Sequence, residues 1–291
     1  MRCRLCPRNC NADRVDSFGF CGAQKDPRVV RSMLHHWEEP FLSGARGAGA
    51  VFFSGCNLGC VFCQNGAIHD ATVGTAYDAS ALAELFLSLQ QQGANNIDLV
   101  TPTPHVPVLR KAILKAKQEG LTVPVVYNCG GYEKASVLRS LEGLVDIYLP
   151  DIKYVSSTLS ARFSGAADYF AFAAPAVEEM FRQVGLLTLN ENGVALRGLA
   201  IRHLVLPCCI DDSRRVLCYI REHFPAEIQV SLMRQYAPTE SVAGTLLDRK
   251  ITDREYDRII LHALDLGLTN ILIQDKSSAS LEFTPLFTNW Q

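Results

Sequence analysis

The most informative stretch of the chain is Ala50-Val-Phe-Phe53-Ser-Gly-Cys56-Asn-Leu-Gly-Cys60-Val-Phe-Cys63. It begins with four apolar residues, which are typical of a buried strand, and leads directly into a C-x3-C-x2-C spacing. Three thiols this close together suit a cubane iron–sulfur cluster or a zinc ion. With only three protein ligands, a [4Fe–4S] cluster keeps one iron open for a small molecule. The alternative is a zinc knuckle, or three buried thiols that bind no metal.

Short apolar runs like the one at residues 50–53 recur along the chain and alternate with amphipathic stretches. Asp78 can cap a helix that ends at Gly93, and Thr252 with Glu255 forms the capping box of another. Strands that alternate with helices predict right-handed β-α-β units, a parallel sheet and an α/β fold. Seven such strands favour a partial TIM-like barrel over a flat doubly wound sheet. The other six runs are residues 97–100, 123–127, 145–149, 201–206, 228–232 and 271–273.

Polar residues follow nearly every predicted strand at the point where it ends. In a parallel barrel the carboxyl ends of the strands meet at one mouth, where barrel enzymes keep their chemistry. Six such sets converging on one rim therefore predict a functional site. The sets begin at Cys56, at Thr101-Pro-Thr103-Pro-His105, at Asn128, at Asp151 with Lys153, at Arg234-Gln-Tyr236 and at Gln274-Asp-Lys276.

The cysteine loop (residues 56–63) and its flanks resemble the cluster loop of the radical S-adenosylmethionine (SAM) superfamily. The likeness includes the aromatic Phe62 before the last cysteine, and it extends over most of the chain. The branch that the chain resembles is the one related to pyruvate formate-lyase activating enzyme. Three further segments carry that likeness: Tyr127-Asn-Cys-Gly-Gly131, Leu149-Pro-Asp151-Ile-Lys153 and Ile201-Arg-His-Leu-Val-Leu-Pro207.

The resemblance implies a partial (β/α)6 barrel, SAM, and a [4Fe–4S] cluster on Cys56, Cys60 and Cys63. It also implies an oxidoreductase that cleaves SAM reductively to a 5′-deoxyadenosyl radical, with electrons from a flavodoxin or ferredoxin type of donor. Hydrogen abstraction from a glycine of a partner protein is the reaction of the activating-enzyme branch. Two alternatives remain open: radical modification of a small molecule or a peptide side chain, and a non-catalytic iron–sulfur or zinc protein.

The resemblance also implies a set of cofactor-binding residues. Lys153 matches the lysine expected near the SAM carboxylate, and Arg202 matches an arginine near SAM. Asp151 and Asn128 match positions that line a SAM or monovalent-cation pocket. The chain departs from the family pattern after its second strand, where the family has Gly-Gly-Glu. Here Thr101 and Thr103, in a Thr-Pro-Thr-Pro turn, are the expected replacements.

Residues 1–26 form a separate cysteine-rich arm, and residues 27–291 are predicted to be the barrel core with a C-terminal extension. Four thiolates make a closed site, which means structural zinc or an electron-carrying iron–sulfur cluster. The spacing does not decide between these two metals. The ligands expected for this second metal are Cys3, Cys6, Cys10 and Cys21.

Composition limits the class of protein. The 291 residues are 48% hydrophobic and 20% charged with a net charge of −2, as in globular proteins without an affinity for nucleic acid. The absence of a long apolar run predicts no membrane partner. The cysteine count, 11, is odd, which favours metal binding in a reducing cytoplasm over disulfides. Between the arm and the barrel the expectation is an exposed polar connector, and the alternative is a segment that faces substrate near Cys56. Its residues are His35, His36, Glu38 and Glu39.

Overall fold

The computed structural model describes residues 2–279 and Phe287. Of the predicted C-terminal extension, residues 280–286 and 288–291 lie outside the described residues. The strands are β1 (Arg28–His35), β2 (Ala48–Phe53), β3 (Thr75–Ala76), β4 (Ile97–Val100), β5 (Val125–Cys129), β6 (Ile147–Pro150), β7 (Thr188–Leu189), β8 (Ala195–Leu204), β9 (Gln229–Met233) and β10 (Ile271–Ile273). The α-helices are α1 (Pro40–Ser43), α2 (Ala79–Gln91), α3 (Val106–Gln118), α4 (Ala135–Leu138), α5 (Ser157–Ser164), α6 (Tyr169–Val184), α7 (Ile210–His223) and α8 (Asp253–Asp265).

A parallel sheet in chain order forms the centre of the molecule. Its strands lie in the order β2-β4-β5-β6-β8-β9-β10, and every neighbouring pair is parallel. Each of the seven apolar runs overlaps one of these strands, so the predicted α/β partial barrel is confirmed. The seventh strand, β10, is one more than the six of the implied (β/α)6 barrel. Antiparallel β1 and β3 extend the sheet beyond β2, and β7 pairs with β8.

Helix α1 fills the inside of the barrel at the end where the strands begin. Phe41 and Leu42 are buried there among Val126, Ile147 and other side chains of the strands. The side-chain amide of Asn96, one residue before β4, donates to the Leu42 carbonyl at 2.9 Å. Because this end is filled by apolar side chains, the open space of the barrel lies towards the carboxyl ends of the strands.

The helices that cover the outer face begin where the sequence predicts. Asp78 caps α2 by accepting from the backbone N–H groups of Ser80 and Ala81. Thr252 and Glu255 form the full capping box of α8. The described part of the chain holds no helix with the length and apolar character needed to cross a bilayer.

Gly131, in the loop after β5, allows the backbone to approach the loop after β6. Its φ is +79°, and a Cβ there would stand 2.2 Å from the Asp151 carbonyl oxygen. Gly120 provides a matched control, because its φ is +104° and a Cβ there would meet nothing within 4 Å.

We expect Gly131→Ala to lower the free energy of unfolding by at least about 2 kcal/mol more than Gly120→Ala, measured by urea denaturation. Both variants carry the cost of a left-handed alanine, about 1–2 kcal/mol, and only the first adds a collision with backbone. Equal losses of unfolding free energy in the two variants would show that the close approach to Asp151 does not contribute to stability.

Candidate functional site

The cysteine loop follows β2 directly and brings three thiols together at the carboxyl end of the sheet. Burial raises the pKa of Cys56, Cys60 and Cys63, to about 12 for Cys63. Neighbouring thiols raise the pKa of Cys56 and Cys63 further, since a second thiolate nearby disfavours the first. A hydroxyl stands beside the middle cysteine, with Cys60 Sγ 2.9 Å from Ser164 Oγ. Such a desolvated thiol set ionises when a bound metal supplies positive charge.

The backbone on both sides of the loop is fixed by buried contacts. His105 Nε2 lies 3.1 Å from the Ser54 carbonyl oxygen, and burial lowers the pKa of this histidine to about 4. The ring is therefore neutral at pH 7 and serves as a hydrogen-bonding partner of the backbone before the loop. Within the loop, the N–H groups of Gly59 and Val61 donate to carbonyls of Ser164 and Phe163, in and beside the last turn of α5.

Four of the predicted cofactor residues form one polar chain next to the loop. Asp151 accepts from Lys153 Nζ at 2.5 Å and from Arg202 Nε at 2.9 Å. Arg202 Nη2 then donates to Asn128 Oδ1 at 2.7 Å. Burial by itself would raise the pKa of Asp151, but Arg202 and Lys153 together bring it below its ordinary value. The carboxylate is thus ionised and holds both cations, of which Lys153 lies close enough to the cysteine loop to act on its thiols.

The two predicted threonines lie apart from that chain of side chains. Thr103 is buried, and its hydroxyl donates to the carboxyl of Glu133. Thr101 has a left-handed backbone, with φ at +63°, and its N–H donates to the Asn128 carbonyl at 3.0 Å. Thr101 therefore touches the site through its backbone, whereas the Thr103 hydroxyl is already engaged. Their part in binding SAM stays a prediction.

The connector before α1 was expected to be exposed, and this expectation is wrong for Glu39 and His35. They are only 7% and 6% exposed, because the chain turns inward after β1. Glu38 Oε1 lies 3.3 Å from Asn128 Nδ2, and Glu38 Oε2 lies 3.7 Å from Arg202. The signal in the sequence that could have predicted this burial is the apolar pair Phe41 and Leu42, just downstream. Because these two side chains are buried inside the barrel, the acidic residues directly before them lie inside it as well.

A cavity of about 320 Å³ opens between these groups and the cysteine loop, a size typical of small-molecule sites. Gln64 and Asn65, which follow Cys63 directly, form part of its wall. Inside the barrel, buried Asp98 Oδ1 and Ser231 Oγ lack a hydrogen-bond partner within the protein. A ligand with several donors would satisfy such groups. Other side chains that line the cavity are those of Glu38, Glu39, Arg202, Gln235 and Gln274.

The cysteines of the arm line a second, smaller cavity. Cys3, Cys6, Cys10 and Cys21 all contribute to its wall, and Pro104 closes it from the barrel side. The predicted ligands of the second metal therefore line one cavity, although no three of the His, Cys, Asp or Glu side chains in the described residues are already arranged to hold a metal ion. No disulfide joins any of the eleven cysteines, all of which lie within the described residues.

Comparison with known proteins agrees with the position of the first thiol set. Residues 43–164 match a family model described as a 4Fe-4S single cluster domain, and these residues include the whole cysteine loop. The match supports a [4Fe–4S] cluster in this part of the chain. An uncharacterised protein of Methanocaldococcus jannaschii is 27% identical over 272 residues, which cover 89% of this chain and 73% of that protein.

The fold is shared with a crystal structure of SuiB from Streptococcus suis bound to the precursor peptide SuiA. The TM-score is 0.51 at 13% identity, over 76% of this chain and 46% of SuiB. The chain thus spans about half the length of SuiB. A second structure of SuiB, bound to S-adenosylmethionine, gives a TM-score of 0.49 at the same 13% identity.

Glu133 is expected to make the free energy of unfolding of the protein depend on pH. Burial raises the pKa of this carboxyl from 4.5 to about 8, although Thr103 and Tyr127 donate hydrogen bonds to it. As the pH rises from 4.5 to 8, the unfolded chain loses this proton while the folded chain keeps it, so the free energy of unfolding falls.

We expect Glu133→Gln to remove this dependence, because the amide resembles the protonated carboxyl and carries no charge. Between pH 6 and pH 9 the wild type should lose about 2–3 kcal/mol more stability than the variant, measured by urea denaturation. A constant difference between the two proteins across this range would mean that Glu133 keeps an ordinary pKa.

Proposed function

We propose that the protein is a radical SAM enzyme whose cluster is held by Cys56, Cys60 and Cys63. The observation that carries this proposal is the position of the three thiols, directly after the first parallel strand and beside a ligand-sized cavity. The match of residues 43–164 to a single-cluster domain supports the cluster. Three thiols would leave one iron of the cluster without a protein ligand. Gln64 and Asn65, which follow Cys63 directly, line the neighbouring cavity, so a small molecule bound there would lie close to the cysteine loop.

The chemistry that cluster and cofactor supply when bound is the reductive cleavage of SAM, which yields a 5′-deoxyadenosyl radical able to abstract hydrogen. SAM carries a carboxylate together with ammonium and sulfonium charges, and the groups on the protein match both signs. Lys153 and Arg202 offer cations for the carboxylate. Glu38, which lines the cavity, offers carboxyl oxygens to the positive groups.

The residues of the chain position these charges before any ligand arrives. Asp151 holds Lys153 and Arg202 in fixed directions, so neither side chain must be ordered when SAM binds. Burial raises the pKa of Glu39 to about 7, although the charge of Arg202 acts against this rise. A cation that enters the barrel would therefore shift Glu39 further towards its ionised form.

We infer further that the substrate is a protein or a peptide, with the glycine of a glycyl-radical enzyme as the leading candidate. The sequence resemblance to the activating-enzyme branch supports this, and the shared fold with SuiB, whose crystal structure contains a precursor peptide, agrees with it. Trp37 lines the cavity and is 66% exposed, which places an aromatic side chain at the rim.

The proposed organisation is a cysteine-rich arm of residues 1–26 on a barrel core of residues 27–291. A low-potential flavodoxin or ferredoxin is the proposed electron donor. The cytoplasm is the proposed location, because eleven cysteines without a disulfide suit a reducing compartment. Modification of a small molecule by the same chemistry is the alternative, favoured by the modest size of the cavity.

Removal of one cluster ligand tests the proposal directly. In anaerobically reconstituted protein, Cys60→Ala should lose the iron bound at the cysteine loop and all 5′-deoxyadenosine formed from SAM and dithionite. Cys218→Ala is the control, because Cys218 lies on α7 beside His262, away from the loop. Iron content equal to that of wild type would refute the ligand assignment. A reducible cluster that gives no 5′-deoxyadenosine and binds no SAM would favour a non-catalytic iron–sulfur protein.

Removal of the charge of Lys153 tests the cofactor pocket separately. Lys153→Gln should raise the Kd for SAM about tenfold, measured by anaerobic titration calorimetry, because the carboxylate loses a buried cation. Lys117→Gln is the matched control: its amine pairs with Asp146 at 3.4 Å, at the opposite end of β6. An unchanged Kd in Lys153→Gln would remove this lysine from the site.

A further inference from the structure

The arm has no regular structure that would hold it together. Residues 2–27 contain neither helix nor strand, and a segment of this length cannot bury a core of its own. Cys6 is nevertheless buried, whereas Cys3 and Cys21 are half-buried and Cys10 is exposed. All four cysteines lie on the wall of one small cavity, which takes the place of a hydrophobic cluster in the arm.

Positive charge and N–H donors face these thiols. The guanidinium groups of Arg8 and Arg14 both belong to side chains that line the cavity. Arg14 Nη2 donates to Cys3 Sγ at 3.1 Å, and the Phe20 N–H donates to Cys10 Sγ at 3.3 Å. Four thiolates around Zn²⁺ or around a [4Fe–4S]²⁺ cluster carry a net charge of −2, and Arg14, whose guanidinium contacts Cys3, offsets part of it. Hydrogen-bond donors directed at ligand sulfurs orient and stabilise metal–thiolate sites.

The backbone around Cys10 is tightly turned. Among the described residues, five that are not glycine have a positive φ, and three of them, Asn9, Asn11 and Arg14, lie in the arm. Backbone hydrogen bonds hold them, including Asn9 N–H to the Cys6 carbonyl and Asn11 N–H to the Cys3 carbonyl. Gly19 packs so closely on Cys10 that a Cβ there would lie 2.9 Å from Sγ. These turns place the cysteines of the arm around one small cavity.

The arm also contacts the cysteine loop. Arg8 Nε donates to the Asn57 carbonyl at 3.0 Å, and Arg8 Nη1 donates to the Gly165 carbonyl at 2.6 Å. The Phe20 ring lies 3.8 Å from the Arg8 guanidinium and also faces Gly59. A Cβ at Gly55 would stand 2.6 Å from the Cys21 carbonyl oxygen. One wall of the cysteine loop is therefore built from the arm.

We propose that Cys3, Cys6, Cys10 and Cys21 hold one closed metal centre, and that this centre fixes Arg8 and Phe20 against the cysteine loop. Zn²⁺ and a [4Fe–4S] cluster share the required chemistry, which is coordination by four thiolates. With all four ligands from the protein, the centre keeps no open position for a substrate. Its role is to hold the wall of the neighbouring site.

The test uses the full chain with Cys56, Cys60 and Cys63 replaced by serine, so that only the arm can bind metal through a thiol cluster. After anaerobic purification and reconstitution, we expect either about one zinc without sulfide or about four irons with four sulfides per chain. Either stoichiometry supports the proposal and names the metal. The combined Cys10→Ser and Cys21→Ser changes should abolish it, whereas Cys218→Ser should leave it unchanged. Less than a tenth of an equivalent of either metal would overturn the site.

The contact with the cysteine loop is tested in chains that keep Cys56, Cys60 and Cys63. Hydrogen exchange at the amides of Gly59 and Val61 should be at least about tenfold faster in the Cys10→Ser and Cys21→Ser chain than in the Cys218→Ser chain. Exchange in α8, remote from the arm, reports whether the barrel is folded in both. Equal exchange at Gly59 and Val61 with an intact α8 would overturn the restraint. None of these measurements uses SAM, so their outcome is separate from that of the proposed enzymatic function.

Discussion

The buried carboxylate of Asp151, shared between Lys153 and Arg202, is the interaction on which the candidate site depends. Asp151 stands at the end of β6, where its backbone N–H donates to the Cys129 carbonyl of β5 at 2.9 Å. Tyr169 of α6 donates from its hydroxyl to the Asp151 carbonyl at 2.8 Å. The carboxylate is thus fixed by the sheet and by a helix, and it fixes two cations in turn. A buried charge with two partners remains ionised, whereas the loss of either partner would leave a costly imbalance.

From this point the polar groups extend in two directions. Lys153 faces the cysteine loop, where its positive charge works against the rise in the pKa of Cys60 that burial causes. Arg202 reaches through Asn128 towards Glu38 and the interior of the barrel. One electrostatic network therefore joins the cysteine thiols to the polar groups inside the barrel. The filled strand-start end around Phe41 keeps that network close to the mouth, where a ligand can enter from outside.

Much of this was predictable, because local chemistry decided it. The strands at residues 97–100 and 271–273 have the predicted bounds, since runs of apolar residues between polar segments admit few alternatives. The caps at Asp78 and Thr252 depend on contacts within four residues. The bounds of the other five strands differ from the predicted ones by a few residues. Strand β8 begins at Ala195 rather than at residue 201, because its first residues pair with β7, a partner that no local pattern reveals.

The sequence by itself determined the parallel barrel, the three-thiol loop after its first strand, and the polar residues that end the strands. Periodicity and short-range spacing encode these features, so no distant contact was needed. Only the tertiary structure decided that Glu38 and Glu39 point into the barrel, that Thr103 is engaged by Glu133, and that the arm forms a wall of the cysteine loop. Each of these depends on residues 30 or more positions apart, whose proximity is set by packing of the whole chain.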